Sequence, residues 1–547
     1  MDDRELKERR IIDLAGIILL LTGAGILIRT ACFAVSQDIW FDELFTVELA
    51  LKPVGELISL AARDVHPPLY YLIVKLVYII LRPAGVGIVT AAKLSSVIPY
   101  FIFIAYAATF IRRRYGWLGA GLSVFMIEAM PQTSAFMIEA RMYSWAALCV
   151  EAMYLHAETA LSIIKNDGVS FNIIIPHNND EVDITSNSSS PFLHLTAVLI
   201  YGICAMYLHY YAAIAAVIIV ALMLVRIFHR AAGIRRAIIP YVSACVIIAI
   251  LAYLPWLGSM LGQAGAVRTN YWIQPLTWRI FPGCVKYVFM PNFTSGNVNA
   301  AVAVITFLAY AALLVRQALD YRNGYADDAP FACGTFLVFA GTALVGIVAS
   351  FVIRPVFTYR YLMPVTFLFW MGFACMVTNV ISNQSEPQIY RLLSAAVAIG
   401  LFISGVRCFD MFRGSEQIRQ DGMDRTLDVF SAISDVYSEK KIICNFNQIQ
   451  SLTWYYQDCD SILWGETDET LIAEICGRSP VVMTTDADEL ASIIRADGGD
   501  SFIYYGSFNA RDEIIAEWKS RGFKCRLLYD SVLLERYYFN VYEIRID

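Results

Sequence analysis

The sequence is short of charge. Asp, Glu, Lys and Arg make up 16% of its 547 residues and hydrophobic residues 58%, where a soluble globular chain has about a quarter charged and about 45–50% apolar residues. No basic patch stands out, which excludes a nucleic-acid surface. There is no GxxxxGK[ST], no GxGxxG after a strand and no HExxH, so nothing points to nucleotide hydrolysis, a soluble dinucleotide site or a zincin. The twelve cysteines form no CxxC pair, which removes the usual zinc signature. Seven lie in or beside apolar runs, where Cys behaves as a small hydrophobe. Cys444, Cys459, Cys476 and Cys525 lie near the C-terminus, either as free thiols or as partners in an oxidising compartment. No small-residue cleavage site follows the first apolar run, which is too long for a signal-peptide core and is expected to stay as an anchor.

What the sequence has is long apolar runs, enough to predict a polytopic α-helical membrane protein. Eleven spans are expected, roughly 11–34, 91–111, 117–138, 142–163, 193–209, 211–229, 238–259, 298–315, 331–352, 361–381 and 390–408. Segment 68–84 is apolar but short and interrupted by Lys75. The basic N-terminus, "RELKERR", belongs in the cytoplasm by the positive-inside rule. If 68–84 lies flat, Arg112–Arg114, Lys165, the Arg226–Arg236 cluster, Arg316 and Arg322 also fall inside, so it is read as an interfacial helix. The chain from 409 on then lies outside. Loop 166–192, rich in Asn and Ser, reads as flexible.

This topology sorts the unusual polar clusters onto the outer side: "WFDE" (40–43), "RDVHPPLYY" (63–71), "EARMY" (139–143), "HYY" (209–211), "YLPW" (253–256) and "RYLMP" (360–364). Asp42 has two readings, a general base for an attacking hydroxyl or the N-cap of a helix "ELFTVELAL". In the first outer loop (35–90), Tyr70, Tyr71 and Lys75 would sit at headgroup depth, suited to a phosphorylated lipid or simply to an aromatic belt. "FMIEA" occurs at 125–129 and again at 136–140, a spacing that puts Glu128 and Glu139 on one helix face, with Pro131 as a kink between them. Glu139 and Arg141 read as a pair at the outer end. His209 is either a ligand for a hydroxyl or phosphate or a structural histidine. Arg354 and Arg360 flank an outer turn, and a guanidinium there can clamp a phosphate.

Together, the Asp-Glu pair after span one, "HPPLYY", "EARMY" and "RYLMP" resemble the polytopic GT-C glycosyltransferases, and most of all the bacterial branch of glycosyltransferase family 39, which includes protein O-mannosyltransferases and a lipid A aminoarabinose transferase. The resemblance covers residues 1–408. It implies a sugar donor linked to a polyprenyl phosphate, an acceptor (glycan, lipid or protein) on the outer side of the cell membrane, and inversion at the anomeric carbon. It implies Asp42 as base with Glu43 beside it. Arg360, His66, Lys75, Tyr71 and Arg141 become donor-phosphate or lipid contacts, and Asp64, Glu139, His209, Tyr210 and Tyr361 acceptor or sugar contacts. His66 departs from the pattern, since some relatives carry lysine before the two prolines. The family is generally taken as metal-independent, so no metal site or cofactor is expected, a divalent metal being left open.

Residues 409–547 have a different composition. From 411 onward 14 Lys and Arg face 24 Asp and Glu, a net of −10, against 28 and 24 in the remainder. "KIICNF", "SPVVMTT", "DSFIYYGS" and the stretch from Lys524 to Arg545 read as strands, and "DADELASIIRADGG" and "ARDEIIAEWKSRG" as helices ending at Gly. The expected unit is a small extracytoplasmic α/β domain with a largely parallel sheet, acting as a lid or acceptor contact. Two other readings are a transporter or flippase of a lipid-linked glycan, which would want a polar path and inverted repeats, and a non-catalytic envelope-assembly protein on the same fold. "NFT" at 292–294 is an N-glycosylation pattern on an outer loop.

Overall fold

The computed structural model describes residues 3–166, 190–269, 273, 275–291, 296–322, 329–465, 470–478, 482–508, 510–534 and 537–546. The "NFT" pattern and most of the 166–192 loop lie outside these. The first helix, α1 (Asp3–Ser36), is followed by three short ones, α2 (Phe41–Leu51), α3 (Val54–Arg63) and α4 (Leu69–Leu81). Then come α5 (Ile88–Tyr106), α6 (Arg112–Ala129), α7 (Thr133–Ile138), α8 (Tyr143–Asn166), α9 (Pro191–Leu208), α10 (Tyr210–Phe228) and α11 (Ala232–Thr269). A short α12 (Ile280–Phe289) precedes α13 (Gly296–Arg322), α14 (Ala329–Val352), α15 (Met363–Ser382) and α16 (Gln388–Tyr437).

Ten continuous helical stretches among the described residues are long and apolar enough to cross a membrane. One of them, Ile88–Ala129, holds two passes. Gly116 breaks it with φ 69° and ψ −171°, a left-handed conformation that glycine adopts without penalty. The protein is therefore an integral membrane protein of about the eleven expected passes. At 13 residues, ~20 Å, α4 is too short to span ~30 Å of hydrocarbon. It buries Tyr70, Tyr71 and Val74 and leaves Leu76, Ile79 and Ile80 exposed.

Packing of α1 on α6 depends on glycine. A Cβ at Gly121 would lie 1.8 Å from the Gly16 carbonyl oxygen, and one at Gly16 would lie 2.2 Å from the Trp117 backbone. Backbones can approach so closely only where small residues face each other, the usual solution where lipid supplies no hydrophobic drive between helices. The two "FMIEA" copies do not continue one helix. The chain breaks at Met130–Gln132, where Gln132 takes φ 71°, and Glu139 follows the end of α7 in extended backbone. Glu128 and Glu139 thus do not share a helix face. The break at Pro131 is sharper than a kink, and it frees the 139–142 segment to turn toward α2.

The 50-residue α16, ~75 Å long, runs unbroken through position 408. Its later turns carry i,i+3 ion pairs, Arg407–Asp410, Arg413–Asp410 and Arg419–Glu416, as a helix in water would. It leads into β1 (Ile442–Cys444), α17 (Asn447–Gln457), β2 (Ser461–Trp464), α18 (Thr470–Ile475), β3 (Met483–Thr484), α19 (Ala487–Ala496), β4 (Ser501–Ser507), α20 (Ala510–Ser520), β5 (Lys524–Leu534) and β6 (Tyr537–Arg545). The sheet order is β3-β2-β1-β4-β6-β5. Its first four strands are parallel, and β6 pairs antiparallel with both β4 and β5. Of "SPVVMTT" only Met483–Thr484 is strand, residues 479–481 lying outside the described ones. None of the twelve cysteines is in a disulfide bond.

Candidate active site at the mouth of the bundle

The N-terminal end of α2 begins the site. Trp40 is its N-cap, and the carboxylate of Glu43, three residues on, accepts the Trp40 N–H at 3.2 Å. The capping function thus belongs to Glu43 and not to Asp42. Glu43 is buried, pairs with the ammonium of Lys93 at 2.6 and 2.7 Å, and accepts the Ala140 N–H at 2.6 Å. One carboxylate thereby ties α2 to α5 and to the segment after α7.

Asp42 is left facing a different set. Its carboxylate lies 3.3 Å from Nη1 of Arg360, which stands just before α15. Its backbone carbonyl accepts from Nη1 of buried Arg141 at 3.0 Å, and the Nε of Arg141 has no hydrogen-bond partner. Asp42 keeps a fifth of its side-chain surface exposed. Asp42 is thus an accessible carboxylate at a helix N-terminus, flanked by two guanidiniums.

The first outer loop brings in Asp64, which caps the C-terminal end of α3 and accepts from the Tyr71 hydroxyl at 3.3 Å. Burial pushes its pKa up to about 6 against the opposing pull of Arg141. His66 stacks on His209 with ring centroids 5.8 Å apart. His209 in turn meets Tyr143 at 5.6 Å and Tyr361 at 5.3 Å. The Nδ1 of His209 accepts the Tyr211 N–H at 3.1 Å, capping α10 and placing the ring proton on Nε2. Burial, then Arg141, lowers both histidines, His209 to about 3. At neutral pH both are uncharged, so the positive charge here comes from the arginines.

Below this mouth a cavity of about 650 Å³ runs between α10, α11 and α14. Its walls are apolar, with Ala213, Val217, Ile218, Val345 and Ile353 among them, while His66, His209, Arg354 and Tyr361 stand at its polar part. Glu139, Arg141, His66, His209, Tyr361, Arg360 and Asp64 thus gather around Asp42 from four separate stretches of chain. Two expected contacts point to framework instead. The Lys75 ammonium donates to the carbonyls of Ala50 and Lys52, tying down the end of α2. The Tyr210 hydroxyl bonds Gln263, which also reaches the Ala61 carbonyl of α3. Lys93 escaped the sequence reading, although a lysine within the apolar run "IVTAAKLSSVIPY" is a signal in itself. Among the described residues no three His, Cys, Asp or Glu side chains are grouped to hold a metal ion.

No family model matches the chain, and no curated protein matches its sequence. Solved structures do. ArnT from Cupriavidus metallidurans in the apo state aligns with a TM-score of 0.57 at 13% identity, over 95% of this chain and 97% of that one. The same protein bound to undecaprenyl phosphate aligns with a TM-score of 0.54 at 13% identity, over 96% and 97%. The Archaeoglobus fulgidus oligosaccharyltransferase tethered with an acceptor peptide gives 0.48 at 11% identity, over 94% and 74%. The chain therefore has the GT-C fold that its motifs resemble.

Proposed function

We propose that the protein transfers a sugar from a polyprenyl-phosphate donor to an acceptor on the outer face of the cell membrane, with the N-terminus in the cytoplasm. In this reading residues 1–408 form the catalytic membrane domain and 409–547 an extracytoplasmic one. The observation that carries the reading is the meeting of Asp42, Arg360 and Arg141 next to His66, His209 and Tyr361, which line an apolar cavity. A prenyl chain fits such walls, and ArnT, of the same fold, was solved with undecaprenyl phosphate bound. The phosphate sits against Arg360 and Arg141, whose unpartnered Nε is a donor for it. The acceptor hydroxyl gives its proton to Asp42 while its oxygen bonds the anomeric carbon. The bond from that carbon to the phosphate oxygen breaks, and the polyprenyl phosphate departs as an anion that needs no proton. Attack from the face opposite the phosphate inverts the anomeric centre. Asp64, Glu139, His209 and Tyr361 line the acceptor or sugar side, with His66 and Tyr71 behind them.

Donor consumption by the reconstituted protein, with a panel of polyprenyl-phosphate sugars and candidate acceptors, tests this. Asp42→Asn keeps the size and removes the base, so turnover should fall by ~10²–10⁴-fold with donor binding retained. Equal turnover in the two proteins would remove Asp42 from the mechanism. Donor crossing the bilayer unconsumed would instead make the protein a flippase.

A further inference from the structure

At the end of the bundle far from Asp42, a second cavity of about 360 Å³ lies between the first turns of α1, the elbow at Gly116 and the last turn of α15. Here the wall is polar. Glu5, Arg9 and Asp13 follow at four-residue steps and form one stripe on α1. Arg114 and Gln384 line the cavity from the other elements. Thr378 supplies an independent mark. Other buried helical threonines return their hydroxyls to a carbonyl three or four residues back, Thr335 to Ala332, Thr30 to Ile26, Thr342 to Val338 and Thr366 to Leu362. Thr378 is 1% exposed, and its Oγ1 has no hydrogen-bond partner although the residue lines this cavity. A buried hydroxyl left without a partner is costly, and at a cavity wall it offers a ligand a hydrogen bond.

The charges are two guanidiniums and two carboxylates. A purely anionic ligand would satisfy the first and be repelled by the second. We propose that this cavity binds the phosphoethanolamine headgroup of a membrane lipid in the adjoining leaflet. The phosphate lies against Arg9 and Arg114 and takes the Thr378 hydroxyl, and the primary ammonium donates to Glu5 and Asp13. A trimethylated ammonium has no N–H to donate, so a phosphocholine headgroup loses that half of the contact. The cavity sits where the apolar run of α1 begins, Ile12 being part of its wall, so a headgroup here keeps its acyl chains in the bilayer.

The test uses the full-length protein in detergent and native mass spectrometry with equimolar dioleoyl phosphatidylethanolamine, phosphatidylcholine and phosphatidylglycerol. The wild type should retain one ethanolamine lipid in preference to the other two. Thr378→Val, of the same shape, should weaken that retention roughly tenfold, and Asp13→Asn should erase the preference over choline. Thermal melting without added lipid checks that each variant is folded, and Thr378→Val alone decides the matter if Asp13→Asn is not. Equal retention of all three lipids, preference for the glycerol lipid, or a preference unchanged in Thr378→Val would overturn the proposal. So would displacement of the lipid by water-soluble glycerophosphoethanolamine at matched concentration, which would make the ligand a free headgroup.

Discussion

The membrane body and the C-terminal domain use charge in opposite ways. In the body, the pairs around the site are long in sequence and withdrawn from water to different degrees: Glu43 with Lys93 is almost wholly buried, while Asp42 and Arg360, more than three hundred residues apart, keep 20% and 26% of their side chains exposed. In the C-terminal domain several pairs are exposed, although Glu543 is buried against Lys440. Asp488, bonded to Arg521, is 75% exposed, and Asp458, bonded to Arg478, is 92% exposed. Water solvates the second kind whether or not the partner is present, so those pairs fix little. Desolvated charges must have a partner in one geometry. The Glu43–Lys93 pair therefore acts as a fixed strut beside Asp42, which itself stays partly accessible.

The contrast breaks most visibly at Glu43. Glu43→Gln or Lys93→Met alone leaves an uncompensated buried group and should cost ~3–5 kcal/mol, read by denaturation in detergent. The double variant should recover a large part of this, because no lone charge remains. If both single variants melt like the wild type, the pair is not a strut and the contrast fails. Asp42→Asn, by comparison, should leave the melting temperature nearly unchanged while turnover collapses.

Asp64 sharpens the contrast through pH. Its folded pKa of about 6 lies above the ordinary carboxyl value of 3.8, because burial disfavours the anion. A carboxyl raised in this way adds stability that is full below about pH 4 and is lost as pH rises through about 6, a swing of ~3 kcal/mol. Asp64→Asn should flatten that part of the stability–pH curve. A curve unchanged by the substitution would show Asp64 to be solvated.

Much of this was legible because the cues were local. Apolar runs of 18 or more residues mark spans regardless of what packs on them, and Gly-terminated polar helices mark α19 and α20. The gathering of "WFDE", "EARMY" and "RYLMP" at one mouth was also readable, since each motif sits at a span end and the parity of spans sorts the ends. What the residues alone left open was whether Asp42 caps the helix; the structure gives that contact to Glu43. Asp42 and Glu43 differ by ~100° around one helix, and only the distant Lys93 and Ala140 decide that Glu43 faces inward. Lys75 looked like a phosphate ligand because its partners, the carbonyls of Ala50 and Lys52, are backbone atoms that carry no sequence signature. The helix α17, "NQIQSLTWYYQ", was missed because it lacks a clear apolar period. It is held by tertiary contacts, among them the Tyr456 hydroxyl, which accepts the Ile39 N–H at 3.0 Å and donates to the Ile39 carbonyl at 3.1 Å.

That hydroxyl belongs to the seam between the two regions, and the seam also holds the smallest expected effect. Arg63, one residue before Asp64, reaches Glu474 of α18 at 2.7 Å, each side chain about half exposed. By its place the pair belongs to the struts, and by its exposure to the solvated pairs. Screening argues for the second, so Arg63→Ala should cost no more than ~0.2–1 kcal/mol and less at high salt. Tyr456→Phe removes the half-buried hydrogen bonds to Ile39, two residues before the α2 start, and should cost ~1 kcal/mol without salt dependence. Melting both variants at low and high ionic strength separates the two cases. If Arg63→Ala proves the more damaging, the C-terminal domain is held to the first outer loop by charge, and exposure is the wrong measure of what a pair does at this seam.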